Sequence, residues 1–62
     1  MFVTLTVMRG AHPLTVVCTY NHAYGWVVDA SIDEFGNAVV LTKQEQAEAI
    51  RRASTGEDET GR

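Results

Sequence analysis

Residues 2–8 alternate strictly, with Val3, Leu5 and Val7 on one side and Thr4 and Thr6 on the other. Successive side chains on extended backbone point to opposite faces, so this period of two, rich in β-branched residues, predicts a strand. Gly10 and Pro13 break the run and turn the chain. Residues 14–20 alternate again, with Leu14, Val16, Cys18 and Tyr20 sharing one face and Thr15, Val17 and Thr19 the other. After a connection over residues 21–25, a third strand is predicted over 26–32. Its alternation places Trp26, Val28, Ala30 and Ile32 inward and Asp29 and Ser31 toward water. Residues 33–37 read as a turn in which Gly36 or Asn37 takes a positive φ. A short fourth strand is expected over residues 38–41. Strands this close in sequence predict an antiparallel meander.

The pattern then changes period. Thr42-Lys43-Gln44-Glu45 matches a capping box, in which a hydroxyl and a carboxylate satisfy each other's free backbone donors at a helix start. Strong helix formers follow, and Gly56 is the expected stop. At ~100° per residue, Ala47, Ile50 and Ala53 form the predicted apolar stripe, with Glu45, Glu48 and Arg52 opposite. The expectation is an α+β fold: a four-stranded antiparallel β-meander followed by one C-terminal helix. Residues 1–54 make a single ββββα domain. Residues 55–62, which hold Glu57, Asp58 and Glu59 and no large apolar residue, make a flexible acidic tail.

The supply of large apolar side chains is lopsided. Of 21 Val, Ile, Leu, Met, Phe, Trp, Tyr and Cys residues, 20 precede position 42, and Ile50 alone follows. A helix ~10–12 Å wide spans about two strands at ~4.8 Å spacing. Part of a four-stranded face is therefore expected to lack a cover, and a homodimer across a two-fold axis is the simplest remedy. The alternative is a monomer with Tyr20, Trp26 and Phe35 folded over the edges. A chain of 62 residues is small enough to need such help. Residues 1–8 carry no charged side chain and no proline, so this strand is expected to be either central or an interface.

Composition narrows the chemistry. Cys18 is the only cysteine, which excludes an internal disulfide and fits a reducing, cytoplasmic setting. No run approaches the ~20 apolar residues that cross a bilayer, so no membrane partner is expected. His12, Cys18 and His22 lack the spacing of a structural zinc site, so no metal and no cofactor is expected. Asp29, Asp33 and Glu34 read as a solvated strand face and a turn. No catalytic residue is assigned, and the expected class is a non-enzymatic protein-binding module. The expected contact residues are Tyr20, His22, Tyr24 and Trp26, because aromatic side chains bring rigid area with a polar handle, together with Arg51 and Arg52.

Two alternatives accompany that expectation. A net charge of −3 gives no broad basic field, yet Lys43, Arg51 and Arg52 with the aromatic loop outline a small nucleic-acid-associated regulator. Cys18 outlines a metal- or redox-dependent dimer. Residues 35–53 resemble, in cadence, many short phage-borne and prophage-borne reading frames. That resemblance implies a mobile-element origin and, for a binding module, an inhibitor or modulator of a host protein.

Overall fold

Three strands and one helix form the fold in a computed structural model that describes residues 1–56. Residues 57–62, most of the expected acidic tail, lie outside the described residues. Strands β1 (Phe2–Arg9), β2 (His12–Asn21) and β3 (Gly25–Ile32) pair antiparallel in the order β1-β2-β3. Gly10 and Gly25 take φ of 62° and 80° in the two connections, a region that disfavours a side chain. Helix α1 (Lys43–Ser54) lies across one face of this meander.

The expected fourth strand does not form. Residues 38–41 make a single bridge, Ile32 to Ala38, and then cross toward the helix. Their backbone is satisfied in other ways. Val39 N–H donates to the Ser31 carbonyl at 3.0 Å, and the Ser31 hydroxyl donates to the Val39 carbonyl at 2.6 Å. Arg9 Nη2 donates to the Val40 carbonyl at 3.0 Å. Side chains thus replace a ladder, and the crossing delivers Leu41 into the core while Val40 stays in solvent.

Strand β3 also departs from its alternation. Cys18 pairs with Val28 and Val17 pairs with Ala30, so Asp29 is an extra, unpaired residue in a β-bulge. A bulge inserts one residue and shifts the parity of everything after it. Trp26 and Val28 face α1 as expected. Beyond the bulge Ser31, opposite Val16, lies on the helix side, and Ala30 and Ile32 turn to the other face. The parity shift is what makes the Ser31–Val39 exchange available.

The capping box forms as predicted: Glu45 N–H donates to Thr42 Oγ1 at 3.1 Å and Thr42 N–H donates to Glu45 Oε1 at 3.0 Å. At the other end Gly56, at φ 89°, donates to the Ala53 carbonyl. Thr55 and Gly56 therefore finish the helix and do not begin a tail. The helix face differs from the expected stripe. Ala49 and Ala53 are buried against the sheet and Ile50 is half-buried, while Ala47 is exposed. Glu45 and Arg52, placed opposite by apolar periodicity, lie beside the sheet. Arg9 grips Glu45 with hydrogen bonds of 2.6 and 2.9 Å, and Arg52 Nη1 donates to the Thr6 carbonyl at 2.7 Å. The helix is turned about one residue, ~100°, from the expected orientation because these arginine contacts add to two small alanines.

The core is Val3, Leu5 and Val7 from β1, Leu14, Val16 and Cys18 from β2, Leu41, and the two helix alanines, with Trp26, Val28 and Val39 at its margin. Alanine lets the helix approach closely, so one narrow helix buries the inward side chains of β1 and β2 from Val3 to Cys18. Toward the aromatic end this face stays partly open, with Trp26 and Val28 half-buried and Tyr20 46 % exposed, and on the other side of the sheet no described element lies.

Candidate functional site

Two surfaces stand out. The first is the β2–β3 connection, where Asn21 Oδ1 accepts from Ala23 N–H at 2.7 Å and from Tyr24 N–H at 3.2 Å. An Asn side chain that bonds the backbone two and three residues on sets the turn locally. Gly25 completes it and starts β3. This geometry brings together four of the residues nominated from sequence. Tyr20 stands edge-on to both His22 and Trp26, with ring centroids 5.6 Å apart in each pair. Edge-to-face packing at this distance is the favoured arrangement for aromatic rings. Trp26 also rests on the core and so fixes the cluster to the fold. Tyr24, 81 % exposed, projects from the turn, and Tyr20 is 46 % exposed.

The nominated cations are placed differently. Arg52 is engaged with the β1 backbone, so its role is to hold the helix. Arg51 and Lys43 are exposed. The helix runs antiparallel to β1, from Glu45 beside Arg9 to Arg52 beside Thr6, so its C-terminal end points toward the end of the sheet that carries the aromatic turn. A phosphate-tracking surface needs several such cations on one face, and one of the three is committed to structure.

The second surface is the sheet face away from α1. Its rows are Phe2–Thr19–Val27, Thr4–Val17–Ala30 and Thr6–Thr15–Ile32, ending in Met8–Pro13. No charged side chain occupies these paired positions. Asp29 sits beside them in the bulge on the β3 edge. Phe2, Met8 and Ile32 are exposed, and no described element crosses this face. Alternation in β1 and β2 already places Thr4, Thr6, Thr15, Val17 and Thr19 on this side. The rest of the face depends on register and on the bulge, which alternation alone does not reveal.

A shallow cleft of about 230 Å³ lies between Arg9, His12, Leu14, Asp33, Glu34, Phe35 and Val39. Its polar groups are largely turned on one another. Arg9 holds Glu45, and His12 Nδ1 lies 3.3 Å from Glu34 Oε1. Asp33 Oδ1 accepts from Asn37 N–H at 2.8 Å and Phe35 N–H at 2.9 Å, and these donors hold its carboxyl below the usual range. Glu45 is pulled down to about 2, first by the Arg9 hydrogen bond and then by the Thr42 backbone. Each shift has a structural cause and serves a turn or a helix attachment.

Cys18 is fully buried between sheet and helix, and burial pushes its thiol up. That environment makes a thiol unreactive. It also places the sulfur beyond the reach of a second copy, which removes the structural basis for a dimer bridged through Cys18. Among the described residues no three His, Cys, Asp or Glu side chains come together, and no helix is long and apolar enough to cross a membrane. Comparison of the chain with protein-family models, with curated proteins and with solved structures found no match.

Proposed function

We propose that the chain is a non-enzymatic protein-binding module that presents the aromatic turn to a partner protein. One observation carries this reading: Tyr20, His22 and Trp26 are locked edge to edge on a turn that Asn21 fixes, while Tyr24 projects beyond them at 81 % exposure. Rigid aromatic groups lose little entropy on binding and dominate interface energetics. The chemistry suits an apolar pocket rimmed by hydrogen-bond acceptors, into which a tyrosine ring and its hydroxyl both fit. The resemblance of residues 35–53 to phage-borne frames makes a host protein the first candidate and modulation of that protein the working form of the function.

Affinity capture with wild type and Tyr24→Ala, coupled to mass spectrometry, tests the reading. The expected result is a protein retained by wild type and lost from the variant at unchanged melting temperature. Equal retention by both, or a salt-sensitive nucleic acid in its place, would overturn it. The latter outcome would favour a nucleic-acid regulator that uses Arg51, Lys43 and the same rings.

A further inference from the structure

The bare sheet face is large for so small a protein, and the fold closes part of each strand edge while leaving that face open. Tyr20 N–H donates to the Met1 carbonyl, so by alternation the odd residues of β1 bond inward to β2 and the even residues present their backbone at the edge. On that edge the Thr6 carbonyl is occupied by Arg52. On β3 the edge is closed after the bulge by Val39 and Ala38. The stretch from Trp26 to Val28, next to the bulge and Asp29, stays open on β3, and on β1 the backbone groups of Phe2 and Met8 face outward on either side of the occupied Thr6 carbonyl. Blunting edges by bulges, charges and covering segments is how sheets avoid edge-to-edge pairing. These contacts shorten the runs open to strand addition, and the uncharged face offers the broader contact.

We infer that this face is covered by a second copy of the same chain, in a two-fold sandwich whose axis runs parallel to β2. Three observations favour a twin over a foreign protein. First, the paired positions of the face carry no charge, although the chain has a net charge of −3, so two copies meet there without like-charge repulsion. Second, hydroxyls line its centre. A threonine hydroxyl both donates and accepts, so Thr15 and Thr19, which lie on the axis, each find a matching group in their own counterparts. A purely apolar partner would leave them unpaired. Third, this axis keeps the two Asp29 carboxylates on opposite edges of the sandwich. It sets Val17 against Val17, and Phe2 of one copy against Val27 of the other. Sheets pack face to face with strands aligned within about 30°, which this arrangement satisfies.

Size sets the strength. Three strands of about eight residues project roughly 380 Å² per copy, taking ~4.8 Å between strands and ~3.3 Å per residue. Standard interfaces bury about 800 Å² of accessible surface per partner, so the association belongs to the weak, concentration-dependent class. The sandwich places both aromatic turns at the same end of the dimer, so it deepens the protein-binding reading by making the module bivalent, and in that sense rests on it.

The test is sedimentation velocity on wild type, Val17→Lys, Val17→Asp and an equimolar mixture of the two variants. Wild type is expected to pass from monomer to dimer between about 1 µM and about 1 mM. Each variant alone stays monomeric, because its new charge meets itself across the axis, and the mixture regains a dimer. Thr15→Lys and Thr15→Asp, at an exposed position on the same axis, repeat the design should the Val17 variants unfold. A wild type that remains monomeric to about 1 mM, single variants that still dimerise, or a mixture that does not recover would each overturn the inference. Failure here with Tyr24-dependent capture intact leaves the binding reading standing. A sound dimer without Tyr24-dependent capture does the reverse.

Discussion

On one side of the sheet, Val3, Leu5 and Val7 meet Leu14, Val16 and Cys18 beneath a helix; on the other, Phe2, Thr4 and Thr6 meet Val17, Thr19 and Ile32 beneath nothing in the described chain. The strands are the same and so is the backbone hydrogen bonding. What separates the faces is how each is closed. The inner face is closed by alanines that permit close approach and by two arginine clamps, the Arg9–Glu45 ion pair and the hydrogen bond from Arg52 to the Thr6 carbonyl. The outer face has methyls and hydroxyls but no clamp. The pair teaches that covering a sheet depends less on the number of large side chains than on fit and anchorage. One Ile and two small alanines suffice where two arginines hold the helix down.

The largest expected asymmetry is in core truncation. Leu5→Ala should cost about 2–5 kcal/mol, because a fully buried leucine leaves a cavity. That rivals the whole stability of a domain this small. Thr6→Val, one position away on the other face, should change stability by less than about 0.5 kcal/mol when the protein is dilute and monomeric. Urea unfolding of both variants measures the contrast, and equal effects would erase the distinction between faces.

Next in size is helix orientation. Ala49→Leu should destabilise by about 1–3 kcal/mol through overpacking against the sheet, whereas Ala47→Leu on the exposed side should be near neutral. The opposite ranking in thermal melts would restore the stripe centred on Ile50. Smaller still is deletion of Asp29. It leaves Val28 opposite Cys18 and Ser31 opposite Val16, so both faces keep their residues and stability should change by about 1 kcal/mol or less. The straightened edge should then self-pair, seen as growing light scattering with concentration.

The smallest effect concerns pH. The Glu45 carboxyl is held at about 2 against an ordinary value of 4.5. A group whose pKa is depressed on folding adds stability above its unfolded pKa and loses it as pH falls through the folded one. The clamp should thus weaken between about pH 4.5 and about 2. Glu45→Gln should flatten that part of a melting-temperature profile while leaving the Asp33 contribution in place.

Much of this was legible in the residues, for reasons that can be named. Alternation located β1 and β2 and their buried sides because nothing interrupts it. The capping box marked the helix start, and Gly56 its end, because both rest on local hydrogen bonding. β3 was misread beyond Val28, since a bulge adds a residue that looks like any other in sequence. The stretch from Ala38 to Leu41 looked like a strand by composition, but Ser31 and Arg9 claim its backbone from afar. The helix face was obscured because Glu45 and Arg52 read as solvent-facing by charge while their partners lie on β1. Of the expected contact residues, Tyr20, His22 and Trp26 pack edge to edge, and Tyr24 projects from the same turn. Arg52 was placed among them for its charge and belongs to the clamp.

The clamps also bear on the order of events during folding. Both hairpins close through neighbours in the chain, whereas Arg9–Glu45 and Arg52–Thr6 join residues 36 and 46 positions apart. Distant closures lose more chain entropy before any contact rewards them. Helix docking should therefore come after the rate-limiting barrier, with the meander formed ahead of it. In stopped-flow experiments Ala49→Gly should then speed unfolding and leave the refolding rate nearly unchanged. A slower refolding limb would place the helix in the nucleus. On the expected route, each newly made chain passes through a moment when the sheet is bare on both sides.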